Sequence, residues 1–125
     1  MEIINNELLK TFNLPGLVHK TLSDNKNGNN SFEVWMQTVE PNAATPIHKH
    51  NCNEVIIILK GSGTLITENK EVKFTANSTL FISPDEVHQL INTGDEPIDL
   101  LGCLGMSPVE VYSPDNILIP LPWQS

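Results

Sequence analysis

The stretch Thr45-Pro-Ile-His48-Lys-His50-Asn-Cys-Asn-Glu54-Val-Ile-Ile-Ile-Leu59-Lys-Gly61 carries a His-x-His pair, a carboxylate, an unbroken apolar run and a glycine. In an extended chain, alternate residues point to the same side, so His48 and His50 present two imidazoles to one face. After the short irregular Asn51-Cys-Asn53, Glu54 can return a carboxylate to that face. A later segment, Pro84-Asp-Glu-Val-His88-Gln-Leu-Ile-Asn92, holds a further imidazole. His88 can complete the set only if the sheet closes so that the two strands become neighbours, and a barrel does that.

The rest of the chain agrees. Runs rich in β-branched or aromatic residues recur between turn signals, at Ser31 to Val39, Glu54 to Lys60, Gly63 to Thr67, Lys70 to Thr75, Thr79 to Ile82, Val87 to Ile91 and Ile98 to Leu104. Pro41, Gly61, Gly63, Pro84, Gly94 and Pro97 lie at or just outside their ends. The polar segment Ser23 to Asn30 reads as an exposed loop between two early strands. No long helix is predicted; a helical turn at Asn6 to Lys10 is the exception. The expectation is an all-β fold with one domain over residues 1–125, an N-terminal segment at 1–15 and an extended tail at 113–125. In that tail Pro120 and Pro122 disfavour a helix, and the segment is expected to lie across the barrel.

Fifteen acidic against seven basic residues give a formal charge of −8, which repels a phosphate backbone or an anionic membrane surface. The longest apolar run, Val55 to Leu59, is far shorter than the ~20 residues of a membrane helix. Neither nucleic acid nor membrane is an expected partner. Met1 to Glu7 shows no basic n-region and no apolar h-region, so the expected location is the cytoplasm. Cys52 and Cys103 are read as free thiols, and His19, outside both histidine segments, as structural.

Three neutral imidazoles and one carboxylate make a mixed nitrogen and oxygen set suited to a divalent first-row ion. The donor types leave zinc, manganese, iron, nickel and cobalt open. With Glu54 the only anionic ligand, a filled site keeps a formal charge of about +1 and attracts an anion, a small carboxylate above all.

The patterns Pro46-x-His48-x-His50-x3-Glu54-x6-Gly61 and Pro84-x3-His88-x3-Asn92 resemble the two motifs of the cupin superfamily. That implies a double-stranded β-helix, or jelly roll, with a metal in its mouth. Phe32 to Thr38, Thr45 to Val55, Leu59 to Leu65 and His88-Gln89 together resemble the plant auxin-binding proteins more closely. This resemblance implies a homodimeric, non-enzymatic receptor that holds zinc on His48, His50, Glu54 and His88 and binds the carboxylate of an aromatic acid to it. It implies that Gln37 and Thr45 lie beside that carboxylate, that Leu17, Pro46 and Ile47 belong to the apolar wall, and that Trp123 packs on the aromatic ring. A tryptophan in a proline-rich tail also serves simply as a clip that closes a barrel, so both roles stay open for Trp123. Leu121 stands where the family has an aromatic, which implies a pocket poorer in rings. The same ligand set also permits a cupin enzyme, a dioxygenase or an isomerase acting on a small organic acid. Outside the ligands the nearest acids are Asp85 and Glu86 on a rim turn, and Gln37 and Thr45 do not titrate, so no catalytic residue is assigned and binding is favoured over turnover.

Overall fold

Turn-forming residues cut the chain into short strands, and in the computed structural model, which describes residues 1–124, nine are formed. They are β1 (Phe12–Leu14), β2 (Leu17–Ser23), β3 (Glu33–Val39), β4 (Glu54–Lys60), β5 (Gly63–Thr67), β6 (Glu71–Phe74), β7 (Ser78–Ile82), β8 (His88–Ile91) and β9 (Ile98–Leu104). Six of them form one sheet in the order β1-β2-β3-β9-β4-β7, and β6-β5-β8 form a second; every pairing is antiparallel. The two sheets face each other as a jelly roll. The bounds of β4, β5 and β9 agree residue for residue with the sequence reading. β1 and β2 were not bounded there, because β1 has only three residues and β2 mixes Lys20 and His19 among its apolar positions.

Period-two burial builds the interior. Along β3 the residues Glu33, Trp35, Gln37 and Val39 turn inward, and along β4 Glu54, Ile56 and Ile58 do so. Ile58, Leu65, Phe74, Ile82, Leu90, Ile98 and Leu100 fill one end of the space between the sheets. Trp35, Cys52, Leu104, Val109, Val111 and Trp123 fill the other. Gly61 makes the turn from β4 to β5 at φ +89°, where a Cβ would lie 2.6 Å from the Pro97 carbonyl oxygen.

The expected helical turn near the N-terminus is a short 3-10 turn at Asn6–Leu8, held by the Asn5 side chain accepting from the Glu7 amide. A second such turn, Asn25–Asn27, lies inside the polar loop and is closed by Asp24 and Asn27 as a reciprocal cap. The tail departs from a plain extended segment. Ser113 donates its amide to the Ile117 carbonyl, Ile119 donates to Val111, and Pro122–Gln124 forms a 3-10 turn, a place that suits Pro122 at its first position. Ser125, the last residue of the expected tail, lies outside the described residues. Among the described residues no helix is long and apolar enough to cross a membrane, and both cysteines are free thiols.

Candidate metal centre and its cavity

Glu54 opens β4 and His88 opens β8, and each is the inward residue at the mouth end of its strand. His48 lies in a segment that runs antiparallel to β8, with its amide donating to the His88 carbonyl at 3.1 Å and the His88 amide returning a bond at 2.9 Å. His50 follows two residues on, and the bend at 51–53 swings the chain round to Glu54. The strand neighbourhood that the sequence demanded is therefore a direct backbone bridge between His48 and His88.

One donor atom from each of His48, His50, Glu54 and His88 lies within 4.8 Å of the others. Glu54 Oε1 is 3.1 Å from His88 Nε2 and 3.6 Å from His50 Nε2. Ligand atoms about 2.1 Å from a common ion stand roughly 3.0–3.5 Å apart, so these separations suit a divalent cation. His50 Nε2, His88 Nε2 and Glu54 Oε1 are buried and make no hydrogen bond of proper geometry. Buried polar atoms without a partner are rare, and an ion shared among them satisfies all three.

The outer nitrogens explain which ring atoms face inward. His48 Nδ1 donates to the Pro46 carbonyl at 2.6 Å, His50 Nδ1 to the Glu110 carbonyl at 2.9 Å and His88 Nδ1 to the Glu86 carbonyl at 2.8 Å. Each bond puts the proton on Nδ1 and leaves the Nε2 lone pair as a ligand. Burial pushes His48 down to about 4, helped by the neighbouring His88 and His50 rings, and burial also lowers His50. Burial disfavours charge on His88 too, but the Glu54 carboxylate outweighs it and raises the imidazole. Burial likewise opposes ionisation of Glu54, yet the His88 contact and the three rings hold the carboxyl below its usual range.

The centre forms one wall of a cavity of about 270 Å³. Leu14, Leu17, Ile56, Leu90, Leu100, Val111 and the tail residues Ile119 to Trp123 supply an apolar lining, with Gln37, Thr45, Pro46 and Trp35 completing it. Thr45 is bolted to β8: its Oγ1 accepts from the Leu90 amide at 3.0 Å, which leaves its own hydroxyl proton free to donate. Ile47 departs from the expected wall. It sits between two inward-turned residues, so the same alternation that aims His48 inward aims Ile47 out, and it is 53% exposed and absent from the lining. Trp123 lines the cavity and is also buried in the apolar cluster at that end. Asp85 and Glu86 do not line the cavity. Asn92, the last residue of the second motif, is a strut rather than a ligand: its amide donates to the Val39 and Glu96 carbonyls at 2.9 Å each and accepts from the Gly94 amide at 3.0 Å.

Several residues of the wall, Trp35 and Val111 among them, are not singled out in the sequence. Trp35 shares the inward parity of Gln37, a signal available in the sequence, and is aimed by its Nε1 donating to buried Glu33 at 2.8 Å. Val111 has no local signal, since only the fold brings it to the mouth. His19, read as structural, is fully buried directly behind the wall, and burial pushes its imidazole down to about 3.

Among solved structures, the polyketide cyclase RemF from Streptomyces resistomycificus superposes with a TM-score of 0.75 over 87% of this chain and 83% of that one, at 22% identity, a likeness of fold. The jelly roll has the fold of cupins, with three imidazoles and a carboxylate gathered at its mouth. A family model described as auxin binding protein matches residues 3–122. The chain is 36% identical over 116 residues to auxin-binding protein 1 of Arabidopsis thaliana, covering 85% of this chain and 59% of that protein. It is 38% identical over 117 residues to auxin-binding protein T92 of Nicotiana tabacum, covering 84% and 63%. The chain belongs to the auxin-binding protein family, and it spans about three fifths of the length of these relatives.

Proposed function

We propose that this protein is a metal-dependent small-molecule binder that holds an aromatic or other apolar carboxylate on a zinc ion held by His48, His50, Glu54 and His88. The observation that carries this reading is the union of a cation-ready cluster with an apolar cavity of about 270 Å³. A divalent ion balanced only by Glu54 keeps about one positive charge and draws the carboxylate, while Trp35, Trp123 and the aliphatic lining take the apolar end. The Thr45 hydroxyl is free to donate to the carboxylate. When bound, the ion supplies charge and a coordination position; the chain's own residues orient and desolvate the guest. The cavity lining contains no acid or base besides the four ligands, which favours binding over turnover.

Calorimetry of zinc-loaded protein with phenylacetate and indole-3-acetate tests the reading. Saturable binding that disappears in His88→Ala is expected; equal weak heats in both proteins would overturn it.

A homodimer is part of the same proposal. The outward face of the large sheet carries the cross-strand rows Val34, Cys103, Val55, Phe81 and Met36, Leu101, Ile57, Thr79. Strands that are apolar on both sides are the pattern of a sheet covered on both sides. An isologous pairing of two such faces would cover Phe81, which is 61% exposed.

A further inference from the structure

We infer that His19 is a positioning residue for the cavity, holding the Gln37 amide and the Trp123 indole as one unit although it does not itself line the wall. The inference rests on the reading of the cavity as a ligand site.

His19 and Gln37 are direct cross-strand partners on β2 and β3, both turned inward. His19 Nδ1 is 2.9 Å from Gln37 Nε2, and His19 Nε2 is 2.7 Å from the Thr21 hydroxyl. Its ring lies flat on Trp123, with centroids 3.6 Å apart and planes 12° from parallel, and meets Trp35 edge-on at 5.1 Å. A neutral imidazole has one donor and one acceptor nitrogen. An amide nitrogen only donates, so Nδ1 accepts from Gln37 and the ring proton sits on Nε2, donated to Thr21. The Gln37 amide is thereby held with its nitrogen on the His19 ring.

Burying an imidazole is costly unless both nitrogens are satisfied. Phenylalanine would fill the same space without that cost, but it could not hold Gln37. Asparagine could hold Gln37 through its oxygen, but it could not carry the indole. Histidine alone joins a flat platform for the tail tryptophan to an acceptor for the amide. The wall's polar group from β3 and its aromatic group from the tail therefore both rest on one side chain outside the lining, with Trp35 and Phe12 meeting the indole edge-on.

The test uses the full zinc-loaded chain, His19→Phe and His19→Asn, with phenylacetate as probe. Each variant loses one of the two supports, and each is expected to weaken phenylacetate by about five- to tenfold with the zinc affinity unchanged. Indole fluorescence is expected to stay native in His19→Phe and to change in His19→Asn. Nitrogen-15 NMR of the unmodified protein reads the lock without any ligand. It is expected to show Nδ1 of His19 unprotonated and the Gln37 side-chain amide protected from exchange, with the protection lost in His19→Phe and kept in His19→Asn. A protonated Nδ1, or phenylacetate affinity in both variants equal to that of the unmodified protein, would overturn the proposal. Should the unmodified protein fail to bind phenylacetate, the ligand reading falls, and the NMR signatures still decide whether the lock exists. Should His19→Phe not fold, the tautomer and His19→Asn decide it.

Discussion

Each imidazole of the metal centre is steadied by a main-chain carbonyl, at Pro46, Glu86 and Glu110. Point substitution cannot delete those supports, so the centre's sensitivity concentrates in the ligands, and in Glu54 most of all because it alone brings negative charge. Glu54→Gln is predicted to keep the fold and to weaken zinc by at least about tenfold in a chelator competition assay. Acid should act through the buried rings. The unfolded chain takes up protons on histidine near pH 6.5, whereas folded His48 resists until about 4 and folded His19 until about 3. In chelator-treated protein, the share of stability held by His48 and His19 is therefore predicted to be full above pH 6.5 and to decline as the pH falls towards 4, read by denaturant midpoints. His88 works in the opposite sense, since its raised pKa stabilises the fold below pH 6.5 and that contribution fades as the pH rises through its folded value. A midpoint that rises on acidification would contradict the balance drawn here. At this scale the sequence is most informative about His48, His50, Glu54 and His88, because their spacing is local and chemically unusual. It is least informative about His19, whose neighbours Gln37 and Trp123 come from distant parts of the chain. Ile47 shows how alternation limits such reading, since one step from His48 along an extended chain is the other side of the wall.

Strands β4, β5 and β9 are legible because β-branched residues run between clear stops, and the register that pairs β4 with β9 then aligns Glu54 with Leu104 at the mouth. β1 and β2 are less so, one too short and the other carrying polar residues that are buried by tertiary pairing rather than by local pattern. The tail shows the limit of proline as a stop signal, because Pro122 forbids continuation of a helix but suits the start of a turn. Gly61 is the joint on which β4 and β5 change direction. With φ at +89° and a backbone oxygen 2.6 Å from where a Cβ would sit, Gly61→Ala is predicted to cost about 1–3 kcal/mol of stability by thermal or denaturant unfolding. An unchanged midpoint would mean that the turn can relax without strain.

For the molecule as a whole, the two sheets divide the work. Their inner faces hold the cavity and the candidate centre, while the outer face of the large sheet carries Val34, Met36, Val55, Ile57, Phe81, Leu101 and Cys103, the face that the proposed dimer would cover. Phe81→Glu is predicted to shift the mass seen by light scattering from dimer to monomer, leaving zinc stoichiometry unaltered; a monomer before substitution would remove the dimer from the account. Beneath all of this lies the convergence of four side chains on one cation, and diffraction at the zinc absorption edge tests it most directly. Crystals of the zinc-loaded protein should give one anomalous peak per chain, about 2.0–2.2 Å from Nε2 of His48, His50 and His88 and from a Glu54 carboxylate oxygen, with an open side facing the cavity. A peak elsewhere, or one that excludes any of the four residues, would contradict it.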